Sequence, residues 1–352
     1  MKIYHSRLKQ LQKVLDDALI VSDKTDLFYL TGLDLSAGGL IVHRGGAELC
    51  VDGRYIETCR KHSPFPVHLT DTLKMVTELP IKTLAFDSTT TSYQNYEKLQ
   101  KCGIELVPLD SPLKFQRAIK DKNEISLLKE AGALGSSGFD FLCSLFRERI
   151  SEKECAVELE IFWKRKGSHS LAFDPIIAFG TNSSMPHYRA GDAMLKRGDT
   201  ILIDIGVNLN NYNSDMTRMA FYGEPDPRLL EIHSIVQKAQ HAALKLCRPG
   251  TLIGELDAAA RDLIVAHGYG AQFTHSLGHG IGLNVHEYPT IRNVEPYRQI
   301  ALTPGMAITI EPGIYLPDIG GVRIEDTVVI TDKGCENLTN RNTDPFFIEV
   351  NR

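Results

Sequence analysis

Leu195-Lys196-Arg197-Gly198-Asp199-Thr200-Ile201-Leu202-Ile203-Asp204-Ile205-Gly206 and Leu302-Thr303-Pro304-Gly305-Met306-Ala307-Ile308-Thr309-Ile310-Glu311-Pro312-Gly313 are two copies of one pattern. Leu, Gly, Ile, Ile, an acid and Gly coincide at a constant offset of 107 residues, 195 falling on 302. Such self-similarity marks a repeated structural unit. Each copy follows a pair of predicted helices and precedes a second acidic strand. The first pair spans about 122–148 and a segment from Ser151 to about Lys166, where Ser151 and Glu154 form a capping box. The second pair starts at Asp226-Pro227, an N-cap followed by Pro at the first helical position, and ends before Pro249-Gly250. Its partner runs from about Gly254 to His267 and is stopped by Gly268. Two helices and a β-hairpin, taken twice, make an α+β sandwich with pseudo-twofold symmetry.

Upstream of the repeat the pattern is different. Strands are predicted at Ala18 to Ser22, Gly39 to His43, Glu48 to Asp52 and Thr83 to Phe86, with helices at about 6–17, 54–62 and 91–102. This is a small α/β unit. The polar run Arg117-Ala118-Ile119-Lys120-Asp121-Lys122-Asn123-Glu124 suits a junction, so the expected domains are 1–118 and 119–352. A length of 352 residues agrees with two domains at about 150 residues each, and 43% hydrophobic with 24% charged residues is ordinary for a globular chain. The net charge of −5 lacks the basic excess of a nucleic-acid binder. No uncharged apolar run reaches about 18 residues, so no membrane partner is expected. The seven cysteines contain no C-x-x-C pair and read as reduced thiols. With no apolar signal-peptide core near Met1, they point to a cytoplasmic protein.

The acids at the strand ends carry the chemistry. Folding the first hairpin about Leu209 and Asn210 sets Asp204 directly opposite Asp215, with Cβ atoms about 5 Å apart on one face. Glu311 and Glu325 are likewise symmetric about Asp318. Taken singly, each acid could be a surface residue. Yet Asp204 and Glu311 each end an apolar strand of the kind that lies inside, where unpaired charge is very costly. Two buried acid pairs at equivalent places in a duplicated domain converge on one site, and a dinuclear metal centre explains them best. Between the hairpins, His275-Ser276-Leu277-Gly278-His279-Gly280-Ile281-Gly282-Leu283-Asn284-Val285-His286-Glu287 adds three histidines among glycines that permit close backbone approach. It is neither a dinucleotide fingerprint nor an H-E-x-x-H zinc helix. The first half holds a counterpart, His187. Four carboxylates and one imidazole balance two divalent ions, with Mn first and Co, Zn or Fe as alternatives. Two close ions lower the pKa of a shared water and polarise a carbonyl, so hydrolysis of an amide is the expected reaction.

Asp204-Ile205-Gly206, Ser214-Asp215-Met216-Thr217-Arg218, the run from His275 to Glu287, Ile310-Glu311-Pro312-Gly313 and Val322-Arg323-Ile324-Glu325-Asp326 together resemble the pita-bread metallopeptidases: prolidase, aminopeptidase P and methionine aminopeptidase. Residues 1–118, with Tyr29-Leu30-Thr31-Gly32 and Asp52-Gly53-Arg54-Tyr55, resemble the creatinase/prolidase N-terminal domain. The resemblance implies a duplicated pita-bread catalytic domain behind a smaller α/β domain. It implies that Asp204 chelates one ion, His279 and Glu311 the other, and that Asp215 and Glu325 bridge both. His187 and His286 match catalytic histidines, and His275 matches a residue near the prolyl side of the substrate. Arg323 matches an arginine that supports substrate binding, or else forms a structural salt bridge to a ligand carboxylate. A homodimer is the family expectation.

The N-terminal domain argues against methionine aminopeptidase, and retention of all five ligands and both histidines argues against a non-catalytic binding protein. The expected substrate is a proline-containing peptide, cut between its N-terminal residue and a penultimate proline. Xaa-Pro aminopeptidase ranks first, because the run from Ser183 to Arg189 shows no added basic cap for a short substrate. Xaa-Pro dipeptidase is the alternative.

Overall fold

The computed structural model describes residues 2–349, which form two compact units divided between Arg117 and Ala118. Among the described residues no helix is long and apolar enough to cross a membrane.

The first unit is built on a six-stranded mixed sheet. Its spatial order is Val67–Leu69, Gly46–Val51, Gly39–His43, Ala18–Val21, Thr83–Asp87 and Glu105–Leu109. The first helix spans Lys2–Gln12 rather than 6–17. Leu8 and Leu11 are buried while Val14 is 75% exposed, so the apolar spacing that suggested a longer helix is not used for burial. Helix Lys24–Thr31 has no counterpart among the predicted elements. Its ends explain it: the Asp23 carboxylate accepts from the N–H groups of Thr25 and Asp26, and Gly32 closes it at φ 71°.

The second unit carries the repeat. Helices Lys122–Leu145 and Glu152–Arg165 both start on full capping boxes, Asp121 with Glu124 and Ser151 with Glu154. The second pair is Pro227–Leu244, capped by Asp226, and Ile253–Ala266. Each pair accompanies one sheet. The first sheet runs Phe346–Ile348, Met216–Tyr222, Thr200–Ile205, Ile176–Phe179; the second runs Glu287–Ile291, Gly278–Gly280, Ala307–Ile310, Asp326–Ile330, Cys335–Asn337. Strand alternation splits the core. Ile201, Ile203 and Ile205 pack with the first helix pair, while Leu202, Met219 and Phe221 join the cluster of the second pair. Ile201, Leu202 and Ile203 are fully buried, each contributing about 1.5–3 kcal/mol relative to exposure. Asp204 shares the face of Leu202, so it is carried inward with it.

The first hairpin differs from the expected register. Asp204 lies opposite Thr217, and Met216 opposite Ile205. The turn is the two-residue step Asn210-Asn211, both with positive φ (51° and 68°), flanked by Leu209 opposite Tyr212. Asn tolerates that conformation, and two-residue turns of this hand match strand twist. The centre of the hairpin therefore moves by one residue, and the pairing partner of Asp204 by two. Since two is the side-chain period of a strand, Asp215 stays on the face of Asp204, diagonally rather than opposite. In the second hairpin Ile310 faces Asp326 and Gly313 faces Arg323, the pairing symmetric about Asp318.

His233, on helix Pro227–Leu244, is 2% exposed. Burial pushes it down to about 4, opposed only partly by Asp344. Between that value and the ordinary one near 6.5, the unfolded chain binds the proton and the folded chain does not. Stability therefore falls as pH drops through this window. The stability difference between His233→Leu and wild type should shift by about 2 kcal/mol in favour of the variant from pH 7 to pH 5, read from urea midpoints. An unchanged difference would show that His233 is protonated without penalty.

Candidate metal centre

Four carboxylates and one imidazole meet where the strand ends of both sheets converge. Asp204 is the penultimate residue of Thr200–Ile205, Asp215 precedes Met216–Tyr222, Glu311 follows Ala307–Ile310, Glu325 precedes Asp326–Ile330 and His279 is the middle of Gly278–Gly280. The glycines flanking His279 are required by close approach: a Cβ on Gly278 would lie 2.0 Å from the Thr309 carbonyl oxygen, and one on Gly280 2.3 Å from that of Tyr288.

His279 Nδ1–H donates to the Gly280 carbonyl at 3.0 Å. Nε2 is left facing Glu311 Oε1 at 3.4 Å and Asp215 Oδ2 at 3.6 Å. Burial, then the nearby His286, push the imidazole down to about 4, so it stays neutral with a lone pair on Nε2. One atom each from Asp215, His279 and Glu325, of the kind that could ligate a metal ion, all lie within 4.8 Å of one another. Burial, then Asp204 and Glu311, raise Asp215 well above the ordinary carboxylate range. Glu325 is raised in the same way by burial, then by Asp215, Glu311 and Asp204. Burial pushes Glu311 up to about 8, against the opposing charge of Arg323.

Two oxygens in this cluster are orphaned. Asp204 Oδ1 and Glu325 Oε1 are buried and have no hydrogen-bond partner. Their sister atoms are satisfied, Asp204 Oδ2 by Arg323 Nη2 at 2.5 Å and Glu325 Oε2 by the Thr217 hydroxyl at 2.8 Å. Four mutually repelling carboxylates against one guanidinium, with two buried oxygens unsatisfied, form a site that fits divalent cations.

Arg323 is 3% exposed and every one of its nitrogens is committed: Nη2 to Asp204, Nη1 to the Tyr315 hydroxyl at 2.7 Å and Nε to Thr217 Oγ1 at 3.1 Å. Arg323 is thus held in a salt bridge to the Asp204 carboxylate. His275 is similarly engaged. Its Nδ1–H donates to the Ser276 carbonyl at 2.8 Å, leaving Nε2 to accept from the Tyr315 hydroxyl at 2.9 Å. Burial pushes His275 down to about 4 and Tyr315 up to about 12, which keeps both in the protonation states this chain of bonds needs. Tyr315 and Thr217 were not singled out from sequence. For Thr217 a signal existed: it stands two residues after Asp215 as Thr327 stands two after Glu325.

His286 is exposed, with its ring 4.4 Å from that of His279, edge to face. His187 is exposed and close enough for its charge to lower both His275 and His286. Both histidines thus border the carboxylate cluster without belonging to it.

The family model described as metallopeptidase family M24 matches residues 126–332. The chain belongs to metallopeptidase family M24. Its first unit matches the creatinase/prolidase N-terminal domain over residues 7–119. Among similar proteins, a Xaa-Pro dipeptidase of Pyrococcus horikoshii is 37% identical over 351 residues, covering 96% of this metallopeptidase and 98% of its own length. The solved Xaa-Pro dipeptidase from Bacillus anthracis superposes with a TM-score of 0.94 at 34% identity, covering 98% of this chain and 99% of that one. The X-Pro aminopeptidase from Thermotoga maritima superposes at 0.89 with 34% identity, covering 97% and 100%. The pita-bread fold that the resemblance implies is the fold of these proteins.

Proposed function

We propose that this metallopeptidase is a Xaa-Pro dipeptidase whose ions are held by Asp204, Asp215, His279, Glu311 and Glu325. The observation that carries the reading is the likeness to the Pyrococcus horikoshii dipeptidase over 96% of the chain. Divalent ions at this site, with Mn as first choice for a set of oxygens and one imidazole, would supply an activated water and a polarised carbonyl. The remaining work falls to the protein. Arg323 fixes the carboxylate of Asp204, and Thr217 fixes that of Glu325. His187 and His286 border the site as proton carriers, so that the proline nitrogen leaves as a protonated amine when its C–N bond to the preceding residue breaks. Proline offers no N–H at the scissile bond, and nothing in this arrangement asks for one. Seven free thiols fit the cytoplasmic placement.

This order reverses the one reached from sequence. The lack of a basic cap between Ser183 and Arg189 had favoured the aminopeptidase. The start of that stretch serves as a brace: residues 180–184 form a single 3-10 turn, and the Ser183 hydroxyl accepts from Gly321 N–H at 2.9 Å. Aminopeptidase action remains the second reading, favoured by the Thermotoga maritima structure. Metal-stripped protein resupplied with Mn²⁺ decides between them: kcat/KM should be at least about tenfold higher on Ala-Pro than on Ala-Pro-Ala, a difference of about 1.4 kcal/mol. Equal or faster cleavage of the tripeptide would establish the aminopeptidase.

A further inference from the structure

Glu152, the first residue of helix Glu152–Arg165, is 0% exposed. A carboxylate survives such burial only when its oxygens are hydrogen-bonded. All four donors come from one short segment. Oε1 accepts from Phe179 N–H at 2.8 Å and from Asn182 Nδ2 at 2.9 Å. Oε2 accepts from the Tyr188 hydroxyl at 2.7 Å and from Gly191 N–H at 3.0 Å. A cross-tie from Asn182 Nδ2 to the Tyr188 oxygen, at 2.9 Å, closes the network. The donors span 179–191 and bracket His187, whose neighbour Tyr188 is one of them. The far side of the segment is held by Ser183 against Gly321, two residues before Arg323. His187 itself is exposed and has no role in this network.

We propose that Glu152 is a positioning residue for His187. The buried carboxylate folds the 179–191 segment around itself and so presents the imidazole towards the metal centre. The helix N-terminus favours the negative charge, and a neutral amide cannot replace it, because Glu152→Gln turns one oxygen into a donor, and either oxygen faces a backbone N–H. The inference rests on the reading of His187 as a proton carrier.

The test is a double-mutant cycle on the full chain loaded with Mn²⁺, with Ala-Pro as substrate. Glu152→Gln should lower kcat by about 10- to 100-fold, the scale of a misplaced reacting group, with KM and metal content unchanged. Tyr188→Phe removes one donor of four and should give a smaller fall in the same direction. In a His187→Ala background neither change should lower kcat further, because the group they position is gone. A purely structural role would give the same additional loss in both backgrounds and would overturn the proposal, as would wild-type kcat in Glu152→Gln. If Glu152→Gln does not fold, Tyr188→Phe run through the same cycle decides. If His187→Ala alone keeps wild-type kcat, the reading of His187 fails and the inference with it. That outcome differs from a slow His187→Ala beside a fast Glu152→Gln, which overturns the positioning role alone.

Discussion

Asp215→Asn should lose hydrolysis and divalent-metal binding together, while the metal-free variant should be more stable than metal-free wild type. Asp215 is buried beside Asp204 and Glu311, and one of its oxygens lies within 4.8 Å of potential ligand atoms of His279 and Glu325. Without ions its charge is opposed by burial and by two other carboxylates, so removing it relieves repulsion. With ions, the same charge is part of what holds them. The loss in kcat should exceed the roughly 10²- to 10³-fold typical of deleting one electrostatic contact. Three readings check this: elemental analysis, activity, and the thermal midpoint with and without Mn²⁺. Wild type should gain stability on adding metal, as any ligand bound only by the folded state provides, and the variant should not. Two ions still bound per variant chain would remove Asp215 from the ligand set.

His187→Ala should separate metal binding from turnover. The residue lies outside the carboxylate cluster but within electrostatic reach of His275 and His286. Metal content should be unchanged. kcat should fall by about 10²- to 10⁴-fold, the range of a lost general acid or base, with KM little altered because the interaction belongs to the transition state. Steady-state kinetics at saturating Mn²⁺ give the answer, and an unchanged kcat would take His187 off the catalytic list.

The elements that positioned these residues were legible where local chemistry is explicit. Ser151 with Glu154 and Asp226 with Pro227 mark helix starts that the structure reproduces. The offset between Asp204 and Glu311 is the offset between two central strands, one in each sheet. The second hairpin was readable because Asp318, at φ 62°, sits at the centre of a symmetric loop. The first hairpin differs because its two-residue turn is Asn210-Asn211, one residue beyond the centre at Leu209 and Asn210. The difference costs little, since a shift of two leaves a side chain on its face. What sequence could not supply was commitment among partners. The commitment of the Arg323 nitrogens to Tyr315, Thr217 and Asp204 is one that residue spacing does not reveal. Glu152 read as the first acid of a helix, where a favourable dipole is explanation enough. Its burial and its four donors come from a segment 27 to 39 residues away.

The central claim is that the buried carboxylate cluster with His279 is a two-ion hydrolytic centre. Titrating Mn²⁺ into metal-stripped protein while following Ala-Pro hydrolysis tests it most directly. Activity should be absent at the start, rise with added metal and reach its plateau with two ions bound per chain. Full hydrolysis by the metal-free protein, or a plateau with no more than one ion bound, would contradict it.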